Sequence, residues 1–199
     1  RQRQQRGVRV AQRLQRDGYH VLLFIADTRQ TDAVLAEILQ YQVDGMVMAS
    51  TSMSSALALR CEEAGIPVVL FNRVSSGSEN TSSVTTDNLQ GGMLVGQYLA
   101  RTGHRRVAYI AGLEDTSTNQ QREQGLRDGL AESGQSVFAR AVGNYDFEDA
   151  KAAARTLFSV KAAQRPDAVF VANDHMAIAV MDTLRIELGL RIPQDVSVV

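Results

Sequence analysis

The sequence predicts an α/β protein built as two doubly wound lobes, each a parallel sheet with helices on both faces. Three observations carry this. Six short apolar runs are each bounded by polar or Gly/Pro residues, segments of helical spacing lie between them, and a glycine follows most of the helical segments. Runs that are apolar throughout, rather than alternating, suit strands buried on both faces. Repeated βα units join such strands in parallel.

In chain order, Val8, Ala11 and Leu14 predict a helix over residues 6–17, stopped by Gly18, and residues 21–26 read as a strand. Val34, Leu35, Ile38 and Leu39 give a helix, residues 45–49 a strand, Leu57, Cys61 and Ala64 a helix stopped by Gly65, and residues 66–71 a strand. Residues 74–86 lack periodicity, are rich in Ser, Thr, Gly and Asn, and read as an exposed loop before a crossing between the lobes. Leu94, Tyr98 and Leu99 then mark a helix stopped by Gly103, residues 106–111 a strand, and Leu126 and Leu130 a helix stopped by Gly134. Residues 137–142 form a weaker strand, diluted by Ala139, Arg140 and Ala141, whose expected place is an edge. Ala150, Ala154, Leu157 and Phe158 give a helix, residues 168–172 a strand, Met176, Val180, Met181 and Leu184 a helix stopped by Gly189, and residues 196–199 the last strand. Each helix is expected to turn its apolar stripe to a sheet. The glycines fall where a helix needs a left-handed C-terminal residue. The expected lobes are residues 1–87 and 88–199. Because the first element is a helix and the last a strand, the first strand of one lobe and the C-terminal part of the other are expected to lie outside these 199 residues.

Composition narrows the function. A formal net charge of -1, from 21 Lys+Arg against 22 Asp+Glu, gives this segment no general hold on a polyanion. The single cysteine, Cys61, cannot close an intrachain disulfide and excludes Cys-rich zinc clusters, in keeping with a reducing, cytoplasmic setting. The apolar runs are far shorter than the roughly 20 residues of a membrane-spanning helix. No G-x-G-x-x-G follows a strand, and neither a phosphate-binding G-x-x-x-x-G-K-[ST], a zinc-binding H-E-x-x-H nor a G-x-S-x-G nucleophile turn occurs. His20, His104 and His175 are scattered without supporting ligands. No catalytic residue, metal or cofactor is expected.

Ligands of open parallel sheets bind beyond the carboxyl ends of the strands. There the sequence places Asp27-Thr28, Ser50-Thr51, Asn72-Arg73, Gly112 with residues 115–122, Asn144-Tyr145-Asp146 and Asn173-Asp174. Amides, carboxylates, guanidinium groups and one aromatic ring suit a polyhydroxylated ligand in a cleft between the lobes. Carboxylates and amides accept hydroxyl protons, Arg supplies paired donors, and a ring covers the apolar side of a sugar. Each residue also has an ordinary role open to it: Asp174 as a helix N-cap, Asn173 as a turn residue, Arg122 as a solvated helix side chain, Tyr145 packed on a loop, Asn72-Arg73 as a capped strand end, Arg105-Arg106 facing solvent.

Four motifs resemble the effector-binding core of bacterial regulators of the lactose-repressor (LacI/GalR) family, which share the fold of type I periplasmic sugar-binding proteins. They are Gly65-Ile66-Pro67 running through Phe71 to Asn72-Arg73; Asp87-Asn88 with Gly91-Gly92 leading to Gly103-His104-Arg105-Arg106; Arg122-Glu123-Gln124-Gly125; and Pro166-Asp167 through Asn173-Asp174-His175-Met176-Ala177 to the C-terminal Arg191-Ile192-Pro193-Gln194-Asp195 stretch. The resemblance implies a type I periplasmic-binding-protein-like fold and a small sugar or polyol as effector. Arg122 would donate paired hydrogen bonds to it, Asn173 would bond its hydroxyls, Asn72 would face it from the first lobe and Tyr145 would stack on it, with Arg73, Thr118 and Asp174 as further contacts. Family members often carry an acid where Asn72 stands, a difference that implies a shifted hydroxyl pattern. The resemblance also implies a homodimer and operator DNA held by an N-terminal helix-turn-helix absent from this segment. A periplasmic sugar-binding protein of a transporter is the alternative on the same fold.

Overall fold

The computed structural model describes residues 2–24, 38–49, 60–74 and 81–199. Most of the predicted helix around residues 34–39 and most of that around residues 57–64 lie outside the described residues, as do residues 25–26 of the first predicted strand, Asp27-Thr28 and Ser50-Thr51. The chain divides into two compact units, Arg1–Val84 and Thr85–Val199.

In the first unit, helix α1 (Gln2–Arg16) starts four residues earlier than its apolar stripe indicates. Strands β1 (Met46–Ala49), β2 (Val68–Phe71) and β3 (Ser82–Val84) form a parallel sheet in that order, with Met46 beside Val68 and Val69 beside Ser82. Ile38, Met48, Cys61, Val68 and Leu70 make its core. Two expectations fail here. Residues 21–24 join no ladder, and Leu22 and Leu23 stand in solvent, because an apolar run becomes a strand only beside a partner. Conversely β3 lies inside the stretch read as loop. All three of its residues are exposed, so this edge strand carries no apolar pattern to announce it.

The second unit is a βα succession: α2 (Asn88–Arg101), β4 (Val107–Ala111), α3 (Ser117–Ala131), β5 (Ala139–Val142), α4 (Phe147–Phe158), β6 (Ala168–Val171), α5 (Asp174–Asp182) and β7 (Ser197–Val198). The sheet is wholly parallel, order β5-β4-β6-β7, with β5 at the edge as its composition predicts. Every residue of β4 and β6 is buried, as unbroken apolar runs require. Leu99, Leu126, Leu130, Phe158 and Met176 pack on this sheet. All five glycines predicted as stops adopt φ between 64° and 90°.

Helix α2 corrects a further expectation. Leu94 and Tyr98, read as core-facing, are each 53% exposed. The buried face is instead Asn88, Gly92, Gly96, Leu99 and Ala100. Gly92 and Gly96 lie against the backbone of α3 at Arg122, Leu126 and Leu130, while Gly125 and Gly129 lie against the backbone of α2 at Leu89, Met93 and Gln97. Two Gly-x-x-x-Gly spacings thus seat the helices backbone to backbone, closer than any larger side chain allows; a Cβ on Gly96 would meet the Leu126 carbonyl oxygen at 2.6 Å. The turn before β4 is also fixed rather than merely solvated. The Asp167 carboxylate accepts from the backbone N–H groups of Arg105 and Arg106 at 3.1–3.2 Å, and the Arg106 Nε donates to the Arg165 carbonyl at 2.6 Å. Among the described residues, no helix is long and apolar enough to cross a membrane.

Candidate ligand site

Parallel register brings the carboxyl ends of β5, β4 and β6 to one edge of the second sheet, Ala111 beside Val142 and Ile110 beside Val171. The N-termini of α3, α4 and α5 follow directly. Backbone N–H groups point outward at such an edge, with a partial positive charge from each helix. Two of these termini are capped from within. Asp146 accepts from the N–H groups of Glu148 and Asp149 at 2.8 and 3.0 Å, bonds that hold its carboxyl below the ordinary range. Asn173 Oδ1 accepts from Met176 N at 2.8 Å. The cap of α5 is therefore Asn173 and not Asp174, which sits exposed in the first helical turn. Capping uses one lone pair of the Asn173 carbonyl oxygen and makes no call on its amide N–H donors.

Tyr145 is set by its backbone. Asn144 and Tyr145 both have positive φ, 51° and 58°, which folds the chain back after β5. The ring comes to rest on Gly112, at a spot where any Cβ would overlap it. Its hydroxyl lies 3.3 Å from Thr118 Oγ1 and 3.5 Å from Thr116 Oγ1. Beneath this layer Asn119, 1% exposed, accepts through one oxygen from both the Tyr109 hydroxyl and the Gly112 N–H, each at 2.8 Å. Burial pushes the Tyr109 phenol above its ordinary range, so it remains a neutral donor to that amide.

Arg122 spans two elements. Its Nε donates to Asn88 Oδ1 at 2.9 Å and its Nη1 to the carbonyl of Ala172, the residue before Asn173. Two of its five N–H donors are thereby spent on fixing the guanidinium plane at the end of β6. At the next residue, burial opposes the charge of Glu123, but bonds from Arg140 and Arg127 outweigh it and hold the carboxyl below its ordinary range. Glu123 is thus committed to the β5 edge. His175 packs its ring against Phe147, centroids 5.4 Å apart. No group of three or more His, Cys, Asp or Glu among the described residues could hold a metal ion.

Of the residues singled out in the sequence, Thr118, Arg122, Tyr145, Asn173 and Asp174 stand at this one edge. Asn72 and Arg73 belong to the first unit. Asn72 ends β2 with φ 62° and donates its N–H to Val84 O at 2.8 Å, while buried Arg73 donates through Nη1 to Asn72 O, also at 2.8 Å. Asn88 and Asn119 complete the second unit's edge. Nothing local separates them from surface amides, because their burial is set by helices that meet only in the fold. A site of fixed amide and guanidinium donors beside an aromatic face is chemically suited to hydroxyl-rich ligands.

A family model described as a periplasmic binding protein domain matches residues 9–189. The chain belongs to that family. The resemblance to LacI-family regulators also holds among individual relatives. A curated relative, the HTH-type transcriptional regulator CelR of Thermobifida fusca, is 38% identical over 160 residues, 79% of this chain and 46% of that protein. The HTH-type transcriptional repressor PurR of Erwinia tasmaniensis is 32% identical over 187 residues, 92% of this chain and 54% of the repressor. Among solved structures, a transcriptional regulator CelR–cellobiose complex superimposes with a TM-score of 0.75 at 33% identity, covering 86% of this chain and 53% of that one. The chain spans about half the length of the curated relatives it matches.

Proposed function

We propose that this chain is the effector-sensing core of a LacI-family transcriptional regulator, and that it binds a small sugar or polyol without chemically altering it. The observation that carries the reading is the fixed guanidinium of Arg122, held by Asn88 and Ala172 at the edge that also presents Tyr145 and Asn173. Arg122 would give paired N–H donors to vicinal hydroxyls, Asn173 its amide, and Tyr145 its ring face. Buried Thr118 backs the Tyr145 hydroxyl, and Asp174 is exposed in the first turn of α5. Cellobiose is the first candidate effector, because a solved relative is a cellobiose complex. The full-length regulator would act in the cytoplasm as a homodimer, with operator DNA held by a helix-turn-helix of the kind its HTH-type relatives are named for. Those names support regulation over the transporter alternative.

The test is a thermal-shift and calorimetric screen of cellobiose, monosaccharides, polyols and purines against the wild-type chain and Arg122→Ala. Wild type is expected to bind a sugar, and the variant to lose about 1.5–3 kcal/mol of binding, the cost of a charged donor. Equal affinity in both proteins removes Arg122 from the site. Binding of no sugar at all overturns the proposed effector class.

A further inference from the structure

Arg122 is long and sits on a helix surface, yet its direction is fixed from the neighbouring helix. Asn88, 3% exposed in the first turn of α2, accepts from Arg122 Nε at 2.9 Å. The same side chain donates from Nδ2 to the Thr86 carbonyl at 2.9 Å and to Thr85 Oγ1 at 3.2 Å. Thr86 Oγ1 lies 3.5 Å from the oxygen that receives Arg122. A neutral amide accepts through its oxygen and donates through its nitrogen, and Asn88 uses both. Aspartate would keep the acceptor but turn an oxygen on the Thr86 carbonyl, and alanine would remove both bonds. Close seating of α2 on α3, through the glycines at 92 and 125, brings Asn88 within reach of Arg122.

We propose that Asn88 is a positioning residue of the ligand site: it sets the plane of the Arg122 guanidinium and ties that group to residues 85–86, the segment by which the chain enters the second unit. The proposal rests on the sugar-sensor reading for its consequence in affinity but not for its geometry. A ligand that draws on Arg122 thereby acts on the backbone at Thr86 through one side chain. Asp87 beside it has a separate task, capping α2 through the Gln90 N–H at 2.8 Å.

The test uses the whole 199-residue chain, isotopically labelled, with the Arg122 Nε–H resonance assigned by its loss in Arg122→Lys. In wild type this proton is expected to exchange slowly with solvent. Asn88→Ala should speed its exchange at least tenfold and weaken cellobiose binding about tenfold or more. Asn88→Asp should keep the exchange slow and move the resonance downfield, since a charged acceptor replaces a neutral one. A purely structural role for Asn88 would lower the thermal midpoint of Asn88→Ala while leaving exchange and affinity as in wild type, and that outcome overturns the proposal. Should Asn88→Ala not fold, an unmoved Arg122 resonance in Asn88→Asp does the same. If wild type binds neither cellobiose nor any sugar of the panel, the effector reading falls, and the Nε–H measurement alone decides the positioning role.

Discussion

At the scale of single residues, small groups make room and short bonds fix direction. Gly112 shows the first. The nearest atoms to an added Cβ are Cζ and Cε of Tyr145, the far end of a side chain, rather than backbone. Gly112→Ala should therefore swing the ring away, breaking its contact with Thr118, while the fold stays within about 1 kcal/mol of wild type. Sugar affinity should fall, and the change is checked by calorimetry beside a urea melt. A variant that binds as wild type would remove Tyr145 from the binding face. Asp195 shows the second. Bonds from the Arg191 side chain and backbone N–H pull its pKa from 3.8 to about 2. A carboxylate depressed in the folded state contributes stability above its unfolded value, and loses it as pH falls through the folded one. The urea midpoint of Asp195→Asn should accordingly lie below that of wild type at neutral pH. The gap should close between about pH 4 and about pH 2, and a gap independent of pH would contradict the assigned pair.

At the scale of elements, the pairing of α2 with α3 governs how Asn88 meets Arg122. Gly125 faces the Leu89 carbonyl and the Met93 N–H, which are backbone and cannot turn aside, whereas Gly91 on the same pair of helices has open space around it. Gly125→Ala should force the helices apart at a cost of about 1–3 kcal/mol and weaken sugar binding by separating Asn88 from Arg122. Gly91→Ala should instead stabilise by about 0.5–1 kcal/mol through helix propensity alone. Paired urea melts with binding curves separate the two, and equal effects would show that the close approach carries no energy. The same elements show what can be read from a sequence. β4 and β6 are legible because unbroken apolar runs have one economical burial, and the edge placement of β5 follows from its small and charged residues. α2 misleads because apolar size is a poor guide where helices meet through glycine, so Leu94 and Tyr98 face solvent and Gly92 and Gly96 are covered. β3 is silent because an exposed edge needs no pattern. At the candidate site, Tyr145 and Asn173 can be singled out in the sequence because they follow predicted strands, and Arg122 because it opens the Arg122-Glu123-Gln124-Gly125 motif. Asn88 and Asn119 owe their roles to partners 34 and 10 residues away, Arg122 and Tyr109.

At the scale of the whole molecule, the proposed function makes a claim about coupling that thermodynamics constrains. If a sugar changes operator affinity by some factor, the operator must change sugar affinity by the same factor, because both measure one coupling free energy. For a regulator of the proposed kind that energy is about 1–3 kcal/mol, or roughly 5–150-fold. The route proposed here begins at Arg122, passes through Asn88 and reaches the backbone at Thr86. Cutting it should lower coupling more than it lowers either affinity alone. The measurement takes the full-length protein and an operator selected from random DNA, titrated with cellobiose present and absent, and the converse titration of cellobiose with operator present and absent. In wild type the two ratios should agree. In Asn88→Asp, which keeps the bond to Arg122 and loses the one to Thr86, cellobiose should still bind while both ratios move toward one. Ratios as large as in wild type would show that the coupling bypasses Thr86, leaving Asn88 to orient the arginine and nothing more.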